Sequence, residues 1–182
     1  MEQTLHITVP LLKYSKKPFY IYDGHTCVGS VKKLPIQGRF RFFIHFLNLF
    51  MSRAGFEKIN IIGLTEKEET FIKVTEQSFR DNLYKMKWNI SLNHHDENFL
   101  LRDNTKISTH VSMTYEKKED EFIFQRTGVG STYEVIHKER NEVIAIIKPY
   151  HLLSRKVGID LKSDDLHLLE LVSIYYTIRL TY

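Results

Sequence analysis

Four short stretches of this 182-residue chain bring together residue types that could do chemistry. His94-His95-Asp96-Glu97 carries the donor atoms of a metal site, but adjacent residues of a strand or loop diverge, so at most two could share one ion without distant help. It reads as a polar loop between strands. Cys27 has His25 two positions away, the beginnings of an activated thiol, yet two such residues on a strand share a face without touching and no third group orients the pair. Cys27 reads as an inert core thiol. Thr127-Gly128-Val129-Gly130-Ser131 has the glycines of a phosphate loop but lacks the lysine and helix that must follow, and reads as a turn joining two strands. Glu116 to Glu121, EKKEDE, mixes both signs and reads as a solvated hairpin tip. There is no glycine-flanked nucleophilic serine and no zinc signature, so the sequence assigns no catalytic residue, metal or cofactor. The expectation is a non-enzymatic binding module.

Charge gives that module a direction. The chain carries only +4, but residues 1 to 55 hold Lys13, Lys16, Lys17, Lys32, Lys33, Arg39, Arg41 and Arg53 against Glu2 and Asp23, a balance of +6, which leaves the remainder near −2. Such a basic third is either solvated surface or an attractor of phosphates. These eight cations are the candidate lipid-binding residues. Aromatic and basic residues do intermix on strands, but nucleic acid ranks below a membrane or a protein as partner.

The elements that would position these residues are mostly strands. Leu5, Ile7 and Val9 alternate with Thr4, His6 and Thr8; Tyr84, Met86, Trp88, Ile90 and Leu92 alternate with polar residues; so do Ile107 to Tyr115 and Val157 to Leu161. Apolar pieces at 18–23, 26–33, 57–63, 69–75, 98–102, 121–126, 131–137 and 142–147 bring the count to about twelve. Turn residues such as Asp23-Gly24, Asp103-Asn104 and Glu139-Arg140-Asn141 reverse the chain between them. Serial antiparallel hairpins without crossover helices predict a mainly β domain, a barrel or sandwich, occupying residues 1–182.

Two segments break the alternation. From Arg39 to Arg53 the polar residues Arg41, His45, Asn48 and Ser52 recur at helical steps, opposite Phe40, Phe43, Phe46, Leu47 and Phe50. This amphipathic helix either packs on the barrel or presents its apolar face to a membrane or partner, and it is too short to cross a bilayer. At the C-terminus, residues 163–180 predict a helix capped by Ser163, with Asp164 and Asp165 at the positive end of its dipole. Leucine, isoleucine, valine and tyrosine occupy nearly its whole circumference between Leu166 and Leu180, so it must be covered on all sides. His167, Glu170 and Arg179 interrupt the apolar run and argue against a membrane span.

A strand-only chain ending in an all-round apolar helix resembles the tubby C-terminal-like domain, in the branch with bacterial LURP-one-related proteins and phospholipid scramblases. The stretch from Trp88 to Tyr182 carries the likeness: ENFLLRDNT, the hairpin pair STYEVIHKERNEVIAIIKP and KVGIDLKSDDLHLLELVSIYY follow the family's order of strand, hairpin, strand and helix, while FYIYDGHTCVGSVKKL is similar to its early hairpin. The resemblance implies a closed antiparallel barrel of about twelve strands threaded by the C-terminal helix, and association with lipid headgroups. The segment 39–53 reads as an insertion between early strands, and the family's phosphoinositide-binding lysines and arginines do not align with particular residues here.

The expected function is therefore a binding module for anionic phospholipid headgroups or the inner membrane surface, the alternative being a protein-interaction module that docks through helix 39–53. A lone cysteine and an N-terminus without signal-peptide character predict a cytoplasmic location, and the lipid-binding expectation places the protein peripheral to the inner face of the membrane.

Overall fold

Alternate burial along each strand turns the period-two pattern into a closed wall. The computed structural model describes residues 5–10, 15, 17–34, 59–77, 85–93, 97–106, 110–126, 131–150 and 155–182. Twelve strands run in chain order: β1 Leu5–Thr8, β2 Phe19–Asp23, β3 Thr26–Lys33, β4 Asn60–Thr65, β5 Thr70–Glu76, β6 Lys87–Leu92, β7 Asn98–Asp103, β8 Ser112–Lys117, β9 Asp120–Arg126, β10 Tyr133–His137, β11 Glu142–Pro149 and β12 Lys156–Leu161. Each pairs antiparallel with the next, and β1 closes the ring by pairing with β12, Ile7 opposite Val157. Inward positions such as Ile7, Ile21, Ile61, Val74, Trp88, Ile90, Leu101, Met113, Phe124 and Val135 are buried, as the alternation requires. The segment 39–53, with Phe40, Phe43, Phe46, Leu47 and Phe50, lies outside the described residues.

The C-terminal helix α1, Leu168–Thr181, fills the barrel. Ten consecutive residues, Leu169 to Ile178, are buried. No free side of the helix remains, which is why its sequence shows no polar stripe. Its start differs from the expectation at Ser163. His167 is the N-cap, its Nδ1 accepting from the Leu169 N–H at 3.2 Å, while Ser163 bonds Asp165 in the preceding loop. Glu170, rather than Asp164 or Asp165, occupies the first turn. The loop bends back on Arg140, which pairs with Asp165, and this keeps residues 163–167 out of the helix. Fourteen residues give a helix about 21 Å long.

The helix lies nearest β3, β4 and β5, and two glycines let it come close. A Cβ on Gly63 would stand 2.6 Å from Ile72 Cγ2 and 2.8 Å from Ser173 Oγ. One on Gly29 would meet the Leu64 carbonyl at 2.7 Å and Leu169 Cδ2 at 2.8 Å. At the helix C-terminus the Tyr182 hydroxyl donates to Asp103 at the end of β7, 2.7 Å away. Because the strands form an uninterrupted meander, the β1–β2, β3–β4 and β11–β12 connections share the end of the barrel at which α1 finishes. The β2–β3, β8–β9 and β10–β11 hairpins share the other.

Candidate functional site

Barrel closure places the first two strands beside the last two, and the outward residues of β2, β1, β12 and β11 form one face. In one row Tyr20 stands level with Thr8, Thr8 opposite Lys156, and Lys156 beside Tyr150. The next row runs Tyr22, His6, Gly158 and Lys148. Three strand spacings put Tyr20 and Tyr150 about 14 Å apart. Tyr20 and Tyr150 are the large hydrophobic residues left exposed among the described ones, at 49% and 52%. The Tyr150 ring lies over Gly158, which has no side chain to lift it, and the Tyr22 ring stacks on His6 at 5.5 Å.

Cations surround these rings. Lys17, Lys148, Arg155 and Lys156 are exposed at this end of the barrel. A cleft of about 520 Å³ opens between the β1–β2 connection and the start of β12, where Lys17 and Arg155 meet Phe19, Tyr20 and Tyr22. No carboxylate is among the described residues that line it. The Arg155 Nε–H donates to the Val9 carbonyl at 3.3 Å, holding the guanidinium at the rim. Acidic residues of the same strands sit at the opposite end, Glu142 opening β11 and Asp160 near the close of β12. The face is thus polarised along the strands, positive and aromatic where the chain enters β12.

Only part of the basic set read from the sequence lies here. Lys17 lines the cleft, and Lys32 points outward two residues beyond Ser30, the partner of Tyr20. Lys33 is a correction: the alternation that turns Lys32 outward turns Lys33 inward, and it is buried at 6% exposure, so it offers no charge to an open surface. Lys13, Lys16, Arg39, Arg41 and Arg53 lie outside the described residues. Sequence reading missed Lys148, Arg155, Lys156 and the three tyrosines. Arg155 bonds Val9 from 146 positions away, and nothing local indicates that the ring closes there.

The other end of the barrel is a polar mouth beneath the helix N-terminus. Glu170, fully buried, accepts from the Tyr115 hydroxyl and pairs with Lys117 Nζ at 2.9 Å. Burial, and then the negative charge of Glu170, push the Tyr115 hydroxyl well above the ordinary tyrosine range. His167 stacks on Phe71 at 4.1 Å, and its imidazole is held below the usual histidine value, mainly by desolvation and further by Lys117. The EKKEDE tip is not merely solvated. Lys117 turns inward to Glu170, and Asp120 Oδ1 stands 3.2 Å from His137 Nε2. Cys27 is half-buried, its Sγ–H directed to the Gly29 carbonyl. His94, His95, Asp96 and residues 127–130 lie outside the described residues.

A closed ring of twelve antiparallel strands around a C-terminal helix is the arrangement implied by the sequence resemblance. The family described as Tubby C-terminal like domain matches residues 5–182. The chain belongs to this tubby-like family. Membership indicates lipid or protein binding in general terms. No curated protein and no solved structure matches the chain. Among the described residues, no helix of this tubby-like domain is long and apolar enough to cross a membrane.

Proposed function

We propose that this tubby-like domain is a non-catalytic module that docks peripherally on anionic phospholipid headgroups, on the cytoplasmic face of a membrane, through the β2–β1–β12–β11 face. The observation that carries the reading is the coincidence of Tyr20 and Tyr150, the exposed tyrosines among the described residues, with Lys17, Lys148, Arg155 and Lys156 at one end of the barrel. A tyrosine has an apolar ring and a polar tip, which suits the headgroup layer, where one end is dry and the other wet. Lysine and arginine beside it meet lipid phosphates, each contributing on the order of 1 kcal/mol near an anionic surface. The chain leaves β3 at Leu34 and re-enters at Ile59 at this same end, and the candidates Arg39, Arg41 and Arg53 lie outside the described residues.

Co-sedimentation with vesicles of neutral phosphatidylcholine, alone or mixed with phosphatidylserine, tests the reading. Binding is expected only with the anionic lipid and is expected to weaken as salt rises. Arg155→Glu with Lys156→Glu removes two attractions and adds two repulsions, so partitioning should fall by two to three orders of magnitude, from about 4 kcal/mol in all. Equal binding to both vesicles, unchanged in the double variant, would remove the electrostatic basis of the proposal.

A further inference from the structure

We propose that the polar mouth of the barrel holds a divalent transition-metal ion of the zinc class on His137, Asp120 and Glu139. These residues come from two neighbouring hairpins. Asp120 opens β9, His137 ends β10 and Glu139 lies in the turn that follows. One ligand atom from each falls within 4.8 Å of the other two. His137 Nε2 is 3.2 Å from Asp120 Oδ1, and Nδ1 is 3.3 Å from Glu139 Oε2. Ligand atoms around a tetrahedral ion with bonds near 2.1 Å stand about 3.4 Å apart, so either ring nitrogen already has one carboxylate at coordinating separation. The other carboxylate needs only a side-chain swing, and both are exposed enough to make it, at 57% and 48%.

The independent observation is the state of the imidazole. The His137 side chain is 7% exposed, and Nδ1 makes no hydrogen bond although a carboxylate oxygen faces it. A buried polar atom is normally satisfied, so one left facing an anionic oxygen at 3.3 Å calls for a shared proton or a metal ion bound to both.

Charge in the mouth points the same way. Lys117 is engaged by Glu170, Arg140 by Asp165 and Glu142, and Lys138 by Glu121. Asp120 and Glu139 then face one imidazole from its two nitrogens, with Lys118 exposed in the same hairpin tip. The Glu121 N–H bonds Glu139 Oε2 at 3.4 Å and orients it, as outer-shell donors orient ligating carboxylates. One imidazole with two carboxylates favours zinc over calcium or magnesium, which take oxygen ligands, and leaves coordination positions to water. Such an ion would tie the β8–β9 hairpin to the β10–β11 hairpin. The sequence conceals it because Asp120 lies 17 positions before His137, without the paired spacing of a zinc motif.

The test is calorimetric titration of the chelator-treated 182-residue protein with zinc chloride, with calcium and magnesium chloride as comparators. One zinc per chain at micromolar or better affinity is expected. At zinc 100-fold above Kd the melting temperature should rise by roughly 5–10 °C. Asp120→Asn and Glu139→Gln are exposed isosteric changes and should each weaken zinc at least about tenfold while leaving the metal-free fold intact by circular dichroism. His137→Asn alters a buried ring, so the two carboxamide variants carry the decision. Absence of binding at about 100 μM zinc, or affinity unchanged in both variants, as adventitious capture by other histidines would give, overturns the site.

Discussion

The Lys117–Glu170 pair couples the wall of the barrel to its central helix, and the two partners should respond unequally to removal. Glu170 is 1% exposed at its side chain and Lys117 20%, with 2.9 Å between the charged atoms. At an effective dielectric constant near 20 that separation gives a gross attraction of about 6 kcal/mol, much of it offset by desolvation. Lys117→Met strands a buried carboxylate whose remaining described partner is the Tyr115 hydroxyl, and should cost about 3 kcal/mol, the lower end for a broken buried pair. Glu170→Gln keeps an acceptor for Tyr115 and leaves an ammonium already partly in water, so about 1–2 kcal/mol is expected. The double variant leaves no unpaired charge and should cost about 2 kcal/mol, which makes the coupling energy roughly 2–3 kcal/mol. Urea unfolding followed by the fluorescence of Trp88, the single tryptophan and fully buried, provides the assay. Loss of less than about 1 kcal/mol in Lys117→Met, or a coupling below about 0.5 kcal/mol, would refute the claim that this pair locks the helix.

Burial pushes the hydroxyls of Tyr115, Tyr133, Tyr175 and Tyr176 upward, so above about pH 10 the unfolded chain releases protons that the folded one keeps. Stability is then unaffected below that pH and falls above it by up to about 5 kcal/mol per pH unit for four groups. Loss of circular dichroism should coincide with a rise in tyrosinate absorbance, and ionisation of these buried rings in a still-folded protein would contradict the account. Gly63→Ala, which forces a methyl group between Ile72 and Ser173, should destabilise by about 1–3 kcal/mol in the same urea assay. Gly158→Ala, whose Cβ would meet only ordinary contacts of 3.7 Å or more, is the control and should cost far less. Equal losses at the two sites would show that helix approach is not what fixes Gly63.

The fold was largely legible because its signals are local. Each strand carries its own alternation, and the apolar circumference of α1 demands a surrounding wall. The antiparallel meander that follows from short polar turns supplies that wall. The helix start was misread because Ser163 and Asp165 satisfy each other and Arg140 instead of the helix, a choice made by tertiary contacts. The candidate face was hardly legible. A charge count over residues 1–55 finds Lys17 and Lys32 but also Lys33, which strand parity sends inside. Half of the face comes from β11 and β12, brought alongside only by ring closure. The mouth was misjudged for a related reason: a tip of mixed sign looks solvated until a central helix places Glu170 within reach of Lys117.

The two ends of the barrel impose different physical demands. At the mouth under the helix N-terminus, Glu170 and Lys117 are drawn inward and paired, and that pairing fixes the helix against β8. The opposite end needs no such lock, because α1 is held there by packing and by the Tyr182–Asp103 hydrogen bond. Its exposed cations and tyrosines can therefore be presented outward without destabilising the core, since none of Tyr20, Tyr150, Lys148 or Arg155 fills the interior. Substitutions on that face should change lipid binding and leave stability nearly untouched, whereas breaking the Lys117–Glu170 pair at the mouth should do the reverse. A variant set in which Arg155→Glu unfolds the protein as readily as Lys117→Met would break this division.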